Sequence, residues 1–252
     1  MPLQTLQELA ARQRSRQRNR QLGALLAFMA GAINAGGFLA VQRYTSHMTG
    51  VVSSIADDLV LGQGLLVLAG MGALLAFVAG AAATAILINW ARRRDLQGEY
   101  ALSLLLEAAL LLCFGLLGAH LNQLIEVFMP TTVLLLCFIM GLQNAIVTKI
   151  SQAEIRTTHM TGVITDLGIE LGRLLYWNRS HAQGGEPVRA NRDRLRVLAT
   201  ILGLFFAGGL VGAWAFKSMG YGAVLPLAAV LAVLAVPPLW RDLRERLGHP
   251  AT

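Results

Sequence analysis

His47-Met48-Thr49-Gly50 recurs 112 positions later as His159-Met160-Thr161-Gly162, and the residues around the two copies also correspond. Upstream of the first stands Gly31-Ala32-Ile33-Asn34; upstream of the second stands Gly141-Leu142-Gln143-Asn144. The asparagine precedes the histidine by 13 residues in one case and 15 in the other. Arg43 lies four residues before His47, and Arg156 three before His159. Asp58-Leu59 begins eight residues after Gly50, and Glu170-Leu171 eight after Gly162. Further on, Phe77-Val78-Ala79-Gly80 resembles Phe205-Phe206-Ala207-Gly208. Several matches in one order mark an internal repeat.

The repeat is embedded in an apolar chain. Of 252 residues, 55% are hydrophobic and 14% charged, against about 25% charged in a soluble chain. The charges cluster between long apolar runs, which is the pattern of multiple membrane spans. A net charge of +7 raises nucleic acid as a partner. The basic residues, however, flank apolar runs and form no continuous patch, so the expected partner is the lipid bilayer and not nucleic acid. Cys113 and Cys137 both fall inside apolar runs and read as small core residues. The first apolar run lacks a small-x-small processing site and is kept as a span.

The expected fold class is all-α: a polytopic membrane protein of six transmembrane helices plus two short broken or re-entrant helices, arranged as an inverted internal repeat. The spans are placed at about 22–41, 65–89, 101–119, 128–148, 197–216 and 221–240. The short pieces are Val51–Leu61 and Val163–Leu175. Eleven helical residues cover only about 16 Å, too little to cross about 30 Å of hydrocarbon. Ser46 or Thr49 is the expected N-cap of the first piece, and the adjacent Gly36 and Gly37 are expected to weaken the end of the first span. The chain divides into a basic N-terminal tail (1–21), a first repeat (22–120), a second repeat (121–240) and a C-terminal tail (241–252).

Orientation follows from charge. With Arg12 to Arg20 in the cytoplasm, six crossings also bring Arg92 to Arg94, the basic 173–196 loop and Arg241 to Arg246 inside; Lys217 is the exception. Both termini are then cytoplasmic. Three spans per half set the halves in opposite orientations, so one His-Met-Thr-Gly opens outward and the other inward. Inverted repeats with a glycine-marked break in each half point to a transporter's central site. A helix starting near Thr49 or Thr161 aims N–H groups and partial positive charge at that place, which suits an anion or a polar carbonyl.

The candidate solute- or ion-binding residues are Asn34, His47, Thr49, Asp58, Asn144, His159, Thr161, Asp166 and Glu170. The histidines either hold the break through a neighbouring carbonyl or touch solute or proton, with metal binding the lesser reading. The asparagines either tie helices together or contact solute. Asp57, Asp58, Asp166 and Glu170 could bind a cation or carry protons, although one of the first two is expected simply to face water. Arg43 and Arg156 read as surface anchors or partners for these acids. Glu107, inside the third span, is either a buried ion-pair partner or part of the pathway. Gly70, Gly72 and Gly80 read as close helix contacts.

These two ordered motifs, Ala30-Gly31-Ala32-Ile33-Asn34-Ala35 with Ser46-His47-Met48-Thr49-Gly50, and Gly141-Leu142-Gln143-Asn144-Ala145 with Arg156 to Gly162, Asp166 and Leu167, resemble the YoaK-like family of bacterial membrane proteins of unknown function. The resemblance covers about residues 22–240. It implies a bacterial inner-membrane protein of about six helices, and it brings no substrate, cofactor or catalytic residue.

Three function classes follow. The leading one is a secondary transporter of a small polar or anionic solute, coupled to H+ or Na+, with one half rocking against the other. The second is a channel or non-transporting scaffold, with a homodimer left open. The third is an intramembrane His/Asp hydrolase; His-Glu-x-x-His is lacking, and an enzyme is not expected. No Walker-type phosphate loop occurs, and no cofactor is expected.

Overall fold

The computed structural model describes residues 16–119, 125–150, 160–176 and 188–248. All the regular structure described is helical: α1 (Arg16–Val41), α2 (Met48–Val60), α3 (Gly64–Arg93), α4 (Ala101–Ala119), α5 (Ile125–Ile150), α6 (Met160–Leu175), α7 (Arg192–Met219) and α8 (Val224–Gly248), with a 3-10 turn at Gly220–Ala223. Five stretches are long and apolar enough to cross a membrane: Asn19–Val41, Gly64–Arg93, Ala101–Gly118, Met129–Ile150 and Arg192–Glu245. The fifth, 54 residues long, contains both α7 and α8. Between them Gly220 takes φ +57°, a value that side chains rarely tolerate, and ends α7.

Helix length and surface chemistry agree. The 30 residues of α3 extend about 45 Å, so a bilayer-spanning α3 must tilt. Its surface carries exposed Leu65, Leu68, Leu75, Val78 and Ile86, an apolar face that only lipid or another protein can cover. The chain is an all-α, polytopic membrane protein.

Three helix pairs build the bundle: α1 with α7, α3 with α5, and α4 with α8. The first two pairs are built alike. Phe28-x-x-Gly31 of α1 crosses Phe205-x-x-Gly208 of α7, so that a Cβ on Gly31 would collide with the Phe205 carbonyl and one on Gly208 with the Phe28 carbonyl. Phe77-x-x-Gly80 of α3 crosses Phe138-x-x-Gly141 of α5 with the same reciprocal contact. Without a hydrophobic force between helices in lipid, such backbone-to-backbone approach supplies the packing. Four residues further along, the pairs diverge. Thr84 Oγ1 donates to the Leu142 carbonyl at 3.0 Å, whereas its counterpart Gly212 lies directly on Ala32.

Contacts along each pair fix the direction of its helices. Gly31 meets Phe205 and Gly36 meets Phe216, so α1 and α7 run parallel. Gly72 meets Leu134 and Gly80 meets Phe138, so α3 and α5 run parallel. Gly98 meets Pro238 and Gly115 meets Val224, so α4 and α8 run antiparallel. A smaller α1–α5 contact joins the first two pairs, with Gly37 against Leu136.

Several expectations change. The Gly36-Gly37 pair does not interrupt α1, which continues to Val41; Gly36 makes room for the Phe216 ring and Gly37 for Leu136. Neither Ser46 nor Thr49 caps α2: its N-cap is His47, without a side-chain cap bond. Cys137 is buried as expected, but Cys113 is exposed on the helix surface. Each repeat also contributes one helix to each tight pair. Rocking one repeat against the other would have to part both glycine crossings.

Candidate functional site

The first His-Met-Thr-Gly segment forms the opening turn of α2 and is tied back to α1. Ser46 Oγ donates to Asn34 Oδ1 at 2.7 Å, spanning the bend that follows α1. In that bend Gln42 takes φ +54°, a left-handed value for a non-glycine residue, and the Tyr44 ring stacks on Phe38 with centroids 4.5 Å apart. Thr45 is buried beneath. The His47 imidazole lies over Gly50, where a Cβ would meet Cδ2 and, at 2.6 Å, Nε2. Glycine at the fourth motif position is therefore the space in which the histidine rests. His47 and Thr49 are both exposed, Asn34 is half-buried, and no residue of α2 is fully buried.

The second segment is described from Met160 onward, so His159, Arg156 and Thr158 lie outside the described residues. Thr161 is exposed, and its carbonyl accepts from Thr165 Oγ1 at 2.8 Å. Asn144, the counterpart of Asn34, keeps a buried Oδ1 without a hydrogen-bond partner among the described residues.

The acids differ between the halves. Glu170 is buried and accepts from Arg173 at 2.9 Å and from the backbone N–H of Asn191 at 2.8 Å, with Arg194 3.8 Å away. Asp166 accepts from Arg194 at 2.9 Å. Asn191 in turn caps α7 by accepting from the Arg194 N–H. This network fastens α6 to the start of α7. In the first half, where only Leu61 to Gln63 link the helices, the Gln63 N–H reaches the Asp58 backbone carbonyl instead. Asp57 is exposed, Asp58 half-exposed, and neither forms an ion pair among the described residues. The partners of the second-half acids are thus Arg173 and Arg194, two residues that the charge pattern alone assigns to orientation.

The two short helices do not pack on each other: α2 lies along α3, where Ile55 abuts Gly70, and α6 lies along α7. A site formed by their direct meeting is not what the packing provides. The polar side chains inside the bundle are different ones. Ser103 and Glu107 on α4 and Gln143 on α5 are completely buried, and Ser103 Oγ, both Glu107 oxygens and both Gln143 amide atoms lack hydrogen-bond partners. Glu107 does not take the ion-pair role open to it in the sequence. Ser103 and Gln143 carried no sequence signal beyond one: Ser103 and Glu107 are four apart and share a helix face.

At one end of the bundle, Arg92 of α3 donates to Glu99 at 2.7 Å and Asp242 of α8 accepts from the Gln97 and Gly98 N–H groups at 2.8 and 3.1 Å. This end holds the close of α3, the start of α4 and the close of α8. The other end gathers the close of α7 and of α4, where Phe114 contacts both Phe216 and Tyr221.

No curated protein and no solved structure matches the chain. A family model described as "Protein of unknown function (DUF1275)" matches residues 22–237. Its span includes both glycine-crossed pairs and both repeated motifs, and the chain belongs to this family, the one associated with YoaK-like proteins.

Proposed function

We propose that the protein is a secondary transporter of a small polar or anionic solute in the bacterial inner membrane, with six crossings, inverted halves and both termini cytoplasmic. The observation that carries this reading is the opposite course of equivalent helices. α3 closes at the end of the bundle marked by Arg92 and Glu99. α7, its counterpart in the second repeat, closes at the other end, where Phe216 meets Phe114. Opposed halves place equivalent polar motifs at opposite faces, and that symmetry is what alternating access uses. The 3-10 turn at Gly220–Ala223 separates the fifth and sixth crossings, while α2 and α6 remain at the surface of their partner helices. The moving parts in this reading are the α1/α7 and α3/α5 pairs, sliding along the lighter α1–α5 seam. Asn34 and Asn144 lie on the two helices of that seam. His47, Thr49 and Thr161 stand at its mouths, and H+ or Na+ is the coupling ion.

Uptake into vesicles holding the purified full-length protein tests this reading. A panel of radiolabelled carboxylates, phosphate and polar amino acids is offered with and without an imposed proton or sodium gradient. Uptake of one class that depends on a gradient and is lost in Asn34→Ala or Asn144→Ala supports the reading. No gradient-dependent uptake of any class would leave the scaffold reading, favoured by the tight glycine crossings, in its place.

A further inference from the structure

We propose that Glu107, with Ser103 and Gln143, forms a site for a monovalent cation, a proton or sodium, inside the helix bundle. Glu107 and Gln143 lie at similar depth, with Ser103 one turn nearer the same end. Thr84, eight residues or about 12 Å along α3 from Arg92, bonds the Leu142 carbonyl and so sets the adjacent Gln143 at about that depth. Glu107 stands eight residues beyond Glu99, the partner of Arg92. Both therefore lie about 10–12 Å in from the same end, on α4 and α5, which pack together. Ser103 is one turn from Glu107 on the same face.

What points to a ligand is the lack of any partner among the described residues. Five side-chain oxygen and nitrogen atoms of these residues are buried and unbonded, whereas buried polar groups in native proteins are nearly always paired. The elements packed on α4 are α3, α5, α8, the 3-10 turn and, through Phe216 on Phe114, the close of α7 with its Lys217. Their ionisable groups are Arg92 and Arg93 at the close of α3, Glu126 and Lys149 at the two ends of α5, Arg241, Asp242, Arg244, Glu245 and Arg246 at the close of α8, and Tyr221 in the turn. On α4 itself there is Cys113, and before it Asp95, Glu99 and Tyr100. No Lys, Arg or His lies within the apolar stretches of these helices, and Arg92 is already bonded to Glu99. A carboxylate in lipid surroundings needs a counter-charge; among the described residues no basic side chain supplies one, and a bound cation does. Glu107 offers the charge and two oxygens; Ser103 Oγ and Gln143 Oε1 offer neutral oxygens, the donor set that suits a small hard cation or a shared proton.

A coupling role for this ion rests on the transporter reading, but the site itself does not. The test uses the full-length protein in lipid vesicles, without solute, and the apolar reagent dicyclohexylcarbodiimide, which adds to protonated carboxyls in apolar surroundings. Mass spectrometry then measures the adduct on the peptide holding Glu107. A sodium site gives an adduct suppressed at least about tenfold by sodium relative to choline, and a proton site one suppressed similarly between about pH 6 and about pH 9 with sodium indifferent. Ser103→Ala and Gln143→Leu, which leave the carboxyl in place, weaken that suppression. An absent adduct, or one insensitive to both sodium and pH, overturns the proposal. Cation-protected labelling without uptake keeps this site and removes the transporter reading; insensitive labelling with intact uptake does the reverse.

Discussion

Gly31 and Gly208 each sit against the carbonyl of the phenylalanine three residues before the other. The same reciprocal contact holds between Gly80 and Gly141. The two crossings relate the repeats to each other and interlock them, since each crossing takes one helix from either half.

Adding a side chain at these crossings should be expensive. A Cβ there meets backbone, which cannot swing aside. Gly31→Ala or Gly141→Ala is expected to lower stability by about 3 kcal/mol, the upper end of overpacking costs. Gly203→Ala, on α7 with open space around it, should be neutral or stabilise by up to about 1 kcal/mol through helix propensity. Thermal unfolding in detergent would check the contrast; equal effects at Gly31 and Gly203 would contradict the crossing.

The second-half acids should differ in weight. Glu170 is buried with two bonded partners, so Glu170→Ala leaves the Asn191 N–H and Arg173 unanswered, while Arg194 keeps Asp166. Removing one member of a fully buried pair costs about 3–5 kcal/mol. Because Arg173 and Arg194 are about half exposed, we expect about 2 kcal/mol after solvent screening. Asp166→Asn should cost no more than about 1 kcal/mol. The same melting measurement ranks them, and a larger loss at Asp166 would refute the assignment.

Within the first motif, Gly50→Ala should fold normally. The new methyl displaces only the exposed imidazole of His47, at a cost below about 1 kcal/mol. Ser46→Ala removes the donor to Asn34 and should cost about 1 kcal/mol. If the imidazole's resting place matters to transport, gradient-driven uptake falls in Gly50→Ala while the melting curve stays; uptake that follows stability alone would make His47 a bystander.

Opposite orientation of the halves has a direct readout. With Cys113 and Cys137 replaced by alanine, single cysteines at the exposed positions Thr49 and Thr161 should react with a membrane-impermeant maleimide from opposite sides of the cell membrane. Labelling from one side only would exclude the inverted arrangement.

Much of the architecture was legible in the chain itself. The apolar runs set where helices lie, because twenty consecutive apolar residues have few stable alternatives in lipid. All six long helices overlap their expected positions, α2 begins at the methionine of its motif, and α6 is described from the methionine of the other. The repeat was visible as ordered matches, including Phe77–Gly80 with Phe205–Gly208. That these four residues would cross Phe28–Gly31 and Phe138–Gly141 was not visible, since a pattern shows which residues are alike and not which ones meet.

Only the tertiary structure paired each repeat's helices with those of the other, separated the two short helices, and gave Asp166 and Glu170 to Arg173 and Arg194. It also left Ser103, Glu107 and Gln143 buried without hydrogen-bond partners among the described residues. The physical reason is common to all four. Helix formation in an apolar medium is a local matter of backbone hydrogen bonds along one segment, whereas a crossing, an ion pair or a buried polar cluster depends on surfaces brought together from distant parts of the chain.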